Sequence, residues 1–217
     1  MTFRYDDLAP GEIYHICTRG VNKRTIFHKK SDYTRFYDLL IHCLQQGPIR
    51  SFSIAKRFKE KPTLPRAGMG LIDLLAFCPM PNHIHLLVKE NKRGGTSLYM
   101  QRLLVSYTKY FNIRHKRTGP LYTSRFLAVL VDKDEQLLHV SRYIHLNPYV
   151  AHIVDDPFSY RWSSLNDYVG VVSKHMCHTN LINGMMNQKA YRSFVTDEAD
   201  YARELSDIKH LLLDYND

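Results

Sequence analysis

Cysteine is scarce in this chain, with four in 217 residues, and Cys17, Cys43, Cys78 and Cys177 form no CxxC pair. That spacing argues against a zinc ribbon or a redox dithiol and leaves the four as small buried hydrophobes. No apolar run approaches the roughly 18 residues that a membrane span needs. The first residues, Met1-Thr-Phe-Arg-Tyr-Asp-Asp7, lack the apolar stretch of a secretory signal. The expected compartment is therefore the cytoplasm, with no membrane partner. There is no GxxxxGK[ST] loop, so chemistry driven by a nucleoside triphosphate is not expected. No internal repeat is visible, which leaves one ordinary domain with room for a core.

Positive charge is abundant and unevenly placed. Residues 1–150 hold 24 Lys and Arg against 11 Asp and Glu, a net of +13, whereas residues 151–217 hold 6 against 10, a net of −4. The basic part is also rich in tyrosine and phenylalanine. Cations with aromatics suit a polyanion carrying stackable bases, such as single-stranded nucleic acid. The same balance makes a small-molecule metalloenzyme unattractive.

Hydrophobic periodicity gives a coarse order of elements. Strands are expected at Glu12–Thr18, Leu71–Phe77, His83–Lys89 and Phe126–Val131. Helices are expected at Phe36–Leu44, with Ser31 as N-cap, at Thr96–His115, and from Asp132 or Asp134 to about Asn147. Pro79 and Pro81 should punctuate the turn before the third strand, and Pro148 should end or kink the last helix. Residues 56–70 read as an exposed basic loop. The order β-α-β-β-α-β, then α, predicts an α+β protein: a ferredoxin-like antiparallel sheet with helices on one face. The stretch 171–217 reads as an accessory helical segment, with helices at Lys189–Val195 and Ala199–Leu213, behind a principal domain of residues 1–170.

Two short patterns carry chemistry. In Met80-Pro-Asn-His-Ile-His-Leu-Leu-Val88, His83 and His85 alternate along a strand and so project to one side, about 7 Å apart at their roots. Two imidazoles so placed can converge on one divalent ion. The plain reading of a bare His-x-His is a pair of half-exposed strand histidines. In Ser141-Arg-Tyr-Ile-His-Leu-Asn-Pro148, Tyr143 and Asn147 are four apart on a helix and share a face. Among 15 tyrosines, Tyr143 is the only one with Asn, Asp, Gln, Glu or His four residues later. Taken alone, it reads better as a packing tyrosine next to a C-terminal asparagine cap. His139, one turn earlier, is a further base or phosphate contact, or simply packs.

Together these patterns resemble the HUH motif and the catalytic-tyrosine helix of the REP-associated tyrosine transposases, a branch of the insertion-sequence-200-like single-tyrosine HUH transposases. Tyr14-His-Ile-Cys-Thr-Arg-Gly20, Ser106-Tyr-Thr-Lys-Tyr-Phe-Asn112 and Tyr160-Arg-Trp-Ser-Ser164 agree with that branch. The resemblance spans residues 12 to about 170. The 56–70 loop is longer than the pattern, and the stretch after Gly170 has no counterpart in it.

The resemblance implies the HUH endonuclease fold. It implies Tyr143 as nucleophile, with His83, His85 and Asn147 holding Mg²⁺ or Mn²⁺. It implies cleavage and rejoining of single-stranded or hairpin DNA through a 5′-phosphotyrosine. Arg19, Lys23, Arg24, Arg114, Lys116, Arg117 and Arg125 are candidates for the DNA backbone. Some members of that family are monomers and others are homodimers. The competing expectation is a domesticated DNA- or RNA-binding module that keeps the fold without transposition.

Overall fold

The computed structural model describes residues 8–123, 125–171 and 175–203. Four strands, β1 (Ile13–Arg19), β2 (Ile72–Met80), β3 (His83–Glu90) and β4 (Leu127–Val131), form an antiparallel sheet in the order β2-β3-β1-β4. Helix α1 (Lys30–His42) and the short α2 (Phe52–Arg57) connect β1 to β2, and α3 (Gly95–Arg114) connects β3 to β4. Helix α4 (Asp134–Val150) follows, then the shorter α5 (Leu165–Tyr168), α6 (Asn180–Met185) and α7 (Gln188–Thr196). Strands that neighbour in sequence are separated in the sheet except for the β2–β3 hairpin. This is the split β-α-β order of the ferredoxin-like class expected from the sequence.

Strand alternation sorts side chains to two cores. Tyr14, Ile16, Ile84, Leu86 and Val88 face α1 and α3, where they meet Phe36, Leu39, Leu103, Tyr107 and Phe111. This is the helical face the sequence predicts. The opposite face is covered as well. Leu75, Leu87 and Val131 pack with Leu137 and Ile144 of α4 and with Tyr168, Ile182, Tyr191 and Val195 beyond it. The reason lies in β2, which is buried at every position. Its run Ile-Asp-Leu-Leu-Ala-Phe-Cys does not alternate, and a strand apolar on both sides needs cover on both sides.

Local differences from the sequence reading have local causes. Ser31 is not the cap of α1. Asp32, fully buried at the third helical position, accepts from the backbone N–H groups of His28 and Lys29 at 2.9 and 3.1 Å. Pro79 lies inside β2 and not in the turn, which is tolerated because β2 is an edge strand and need not donate on its outer side. Lys56 and Arg57, read as loop, close the last turn of α2. Helix α4 runs through Pro148 for two more residues. Of the helix expected at Ala199–Leu213, the part beyond Arg203 lies outside the described residues.

Candidate active site

The end of the sheet nearest the β2–β3 turn builds the site. Antiparallel pairing sets Arg19 opposite His83 and Cys17 opposite His85, with His15 one step further along β1. All five side chains therefore point to one face, the face crossed by α4. His83 and His85 meet edge to face at 4.8 Å between ring centroids. His15 lies edge to edge with His85, the ring planes 19° apart and the centroids 5.2 Å apart, and its Nε2 is 3.0 Å from His85 Nδ1. Tyr143, on α4, stands edge-on to both His85 (5.6 Å) and His15 (5.9 Å). The two separate sequence patterns thus converge on one place, joined by a third histidine.

Burial grades across the site. His85 is 4% exposed and Tyr143 is 53% exposed, so the phenol sits at the mouth and the imidazole at the floor. Desolvation lowers the pKa of His15 and His83 to about 4, with the Arg19 charge adding to the effect on His83. Burial also lowers His85 to about 2, helped by His83, His15 and Arg19. All three rings are therefore neutral near pH 7, the form in which a ring nitrogen can bind a cation. The Tyr143 phenol is pushed above its ordinary value by burial, while a side-chain hydrogen bond from Asn147 pulls the other way.

His85 Nε2 is buried without a protein partner. A buried ring nitrogen left without a partner is costly unless something occupies it. The Asn147 carboxamide donates through Nδ2 to the Tyr143 carbonyl at 2.8 Å, which leaves Oδ1 as its free acceptor. Among the described residues no three His, Cys, Asp or Glu side chains form a metal cage. An ion here would therefore draw on the two strand histidines and a neutral oxygen such as Asn147 Oδ1, keeping positions open for water or phosphate. That mixed donor set suits Mg²⁺ or Mn²⁺ better than a closed zinc site.

The remaining predicted residues fall into groups. Arg19 borders the histidines and acts on their charge state. Lys23 and Arg24 lie in the turn after β1, held tight at Gly20, where a Cβ would stand 2.5 Å from the Arg24 carbonyl. That turn pairs with residues 121–123 through Val21 N–H to Leu121 and Thr123 N–H to Arg19. Arg114, Lys116 and Arg117 cluster at the C-terminal end of α3. Arg117 is spent on its own turn, bonded to Asn112 Oδ1 and the Pro120 carbonyl. Arg125 lines a groove of about 980 Å³ between α3 and the 120–126 segment. His139 points away from the site: it bonds Arg142 at 2.9 Å and packs on Phe194. The residue that sequence reading missed is His15. Its signal is visible in Tyr14-His-Ile-Cys, where it alternates with the core residues, but only the β1–β3 pairing shows which site it joins.

Residues 63–147 match the model of the family described as Transposase IS200 like. The matched segment holds β2, β3, α3, β4 and α4 as far as Asn147, and with them His83, His85, Tyr143 and Asn147. The resemblance read from the motifs and the family model agree over this stretch. No curated protein matches the chain. Among solved structures, the chain is similar to a REP-associated tyrosine transposase bound to a REP hairpin. The TM-score is 0.51 and the identity 16%, and the match covers 82% of this chain and 90% of that one. At that identity the likeness speaks for the fold.

Proposed function

We propose that this chain cleaves and rejoins single-stranded DNA, entering at a hairpin, with Tyr143 as nucleophile and with His83, His85 and Asn147 as ligands of Mg²⁺ or Mn²⁺. The observation that carries this reading is the convergence of Tyr143 on a strand histidine pair that leaves a buried ring nitrogen without a partner, inside the segment that matches the IS200-like family. The catalytic unit is drawn from residues 1–170, and the segment after 170 supports α4 from behind.

A phenol is a poor nucleophile near neutral pH, and burial raises its pKa further. A divalent ion bound here supplies Lewis-acid polarisation of the scissile phosphate. The chain's residues do the rest. Tyr143 Oη bonds to phosphorus as the bond to the 3′ oxygen breaks. The phenolic proton leaves for solvent or for that departing oxygen, giving a 5′-phosphotyrosine and a free 3′-hydroxyl. Return of a 3′-hydroxyl reverses the exchange with no net loss of phosphodiester bonds, so no ATP is consumed. Arg19 and the turn carrying Lys23 and Arg24 offer phosphate contacts beside the histidines. Arg114, Lys116 and Arg125 would extend that track along the α3 side.

The test is incubation with single-stranded hairpin DNA and Mn²⁺, read on a denaturing gel, with mass spectrometry of the DNA-linked peptide. The adduct should sit on Tyr143. Tyr143→Phe should bind hairpin and metal yet form no adduct and no nick. An adduct on another tyrosine refutes the assignment. Tyr107 and Tyr110 are poor substitutes, because their hydroxyls are engaged by the Ile26 carbonyl and by Asp32. Hairpin binding without any adduct would favour the domesticated binding module.

A further inference from the structure

Neutral histidine in water prefers its proton on Nε2. Two ligands that must offer Nε2 to one ion therefore need that preference reversed, and in proteins this is done by what Nδ1 touches. Both strand histidines have such a neighbour. His83 Nδ1 lies 2.6 Å from Asn82 Oδ1. The Asn82 amide is oriented independently, because its Nδ2 donates to the Lys23 carbonyl, which can only accept. Asn82 thus presents an oxygen, and His83 Nδ1 must be the donor. His85 Nδ1 lies 3.0 Å from His15 Nε2, with the two rings within 19° of coplanar, and the Nε2 of His85 is buried without a partner.

We infer that Asn82 and His15 are positioning residues that hold His83 and His85 in the Nδ1–H form, leaving both Nε2 lone pairs free for one metal ion. In this arrangement His15 Nε2 accepts and its own proton sits on Nδ1. His15 is thereby a partner to a ligand and not a ligand itself. It also stands edge-on to Tyr143, so the ring that orients His85 borders the nucleophile. Asn82 ties the metal end of the sheet to the backbone of the basic turn through Lys23. The inference rests on the assignment of His83 and His85 as ligands in the function proposed above.

The experiment uses full-length protein labelled with ¹⁵N at histidine. In metal-free protein near pH 7, long-range ¹H–¹⁵N spectra of the imidazoles should show His83 and His85 as Nδ1–H tautomers. An Nε2–H His85 overturns the inference. His15→Ala should move His85 toward Nε2–H and weaken Mn²⁺ binding, measured by calorimetry, by roughly 10–100-fold. His15→Gln, which returns an acceptor oxygen, should restore most of both. Asn82→Ala should act likewise on His83. An unchanged tautomer and affinity in His15→Ala overturns the role. X-ray absorption of the Mn²⁺-loaded protein should count two imidazoles, and three would make His15 a ligand and refute its place as a partner. If the parent protein shows the expected tautomers but binds no Mn²⁺, the positioning stands and the metal-dependent reading fails.

Discussion

Two buried histidines lie within reach of α4 and are treated in opposite ways. His145, fully buried on the inner side of α4, has both nitrogens bonded, Nδ1 to Tyr191 Oη and Nε2 to Ser164 Oγ, each at 2.8 Å. Ser141 donates to the Leu138 carbonyl, so Tyr191 donates to Ser141 and accepts from His145 Nδ1–H. Ser164 Oγ accepts the Phe77 N–H, lies 2.8 Å from His145 Nε2 and also reaches the Phe77 carbonyl at 3.2 Å. Every member is satisfied, and the network joins β2, α4, α5 and α7. His85 has one bonded nitrogen and one bare one. A satisfied buried histidine is a fastener, and one left open toward a second chemical group is a tool.

The sharpest way to break that comparison is to remove each ring. His85→Ala should abolish metal-dependent cleavage, a loss of at least about a thousandfold, since ligand removal takes away most of the electrostatic help to the phosphate. Its thermal stability should change little, because a half-bonded buried ring contributes little net stability. His145→Ala should do the reverse and destabilise by roughly 3–5 kcal/mol, through a cavity and two orphaned hydroxyls. Chemical denaturation and a cleavage assay on both variants decide it, and equal behaviour of the two would end the distinction. A milder cut is Tyr191→Phe, which keeps the ring and removes the hydroxyl between His145 and Ser141. We expect a loss of about 1–3 kcal/mol in urea unfolding, with Mn²⁺ affinity unchanged.

A further effect is on pH. His15 and His83 are lowered to about 4, His145 to about 3 and His85 to about 2, each by burial first. Above pH 6.5 these rings are neutral in both folded and unfolded chains and contribute no pH dependence. Below it the unfolded chain takes up protons that the folded chain refuses, so stability falls as pH drops toward 4. The melting temperature of metal-free protein should therefore decline between pH 6.5 and 5, above the range where carboxylates titrate. A flat profile there would show the rings to be more hydrated than their burial implies.

Much of this was legible in the residues. Strand alternation put His83 and His85 on one side, and helical spacing put Tyr143 with Asn147, since both rules act within a single element. What could not be read depends on which elements neighbour one another. His15 joins the site because β1 lies between β3 and β4, an order that no local pattern states. The cover over the second face could have been suspected from the unbroken apolar run of β2. Its occupants, Tyr191 and Val195, come from a stretch whose own periodicity says helix but not where that helix docks. The capping of α1 went to Asp32 and not Ser31 because a carboxylate can also take Tyr110 and His115, partners that exist only after α3 has packed.

The network through Tyr191 also has a consequence in time. During synthesis, His83, His85, Tyr143 and Asn147 all leave the ribosome before α7 does. The sheet and its histidine pair can be complete while the inner side of α4 still lacks the hydroxyl that closes its polar chain. The inner side of α4 thus gains its last hydrogen-bonded partner, Tyr191 of α7, only after most of the chain's length has been made.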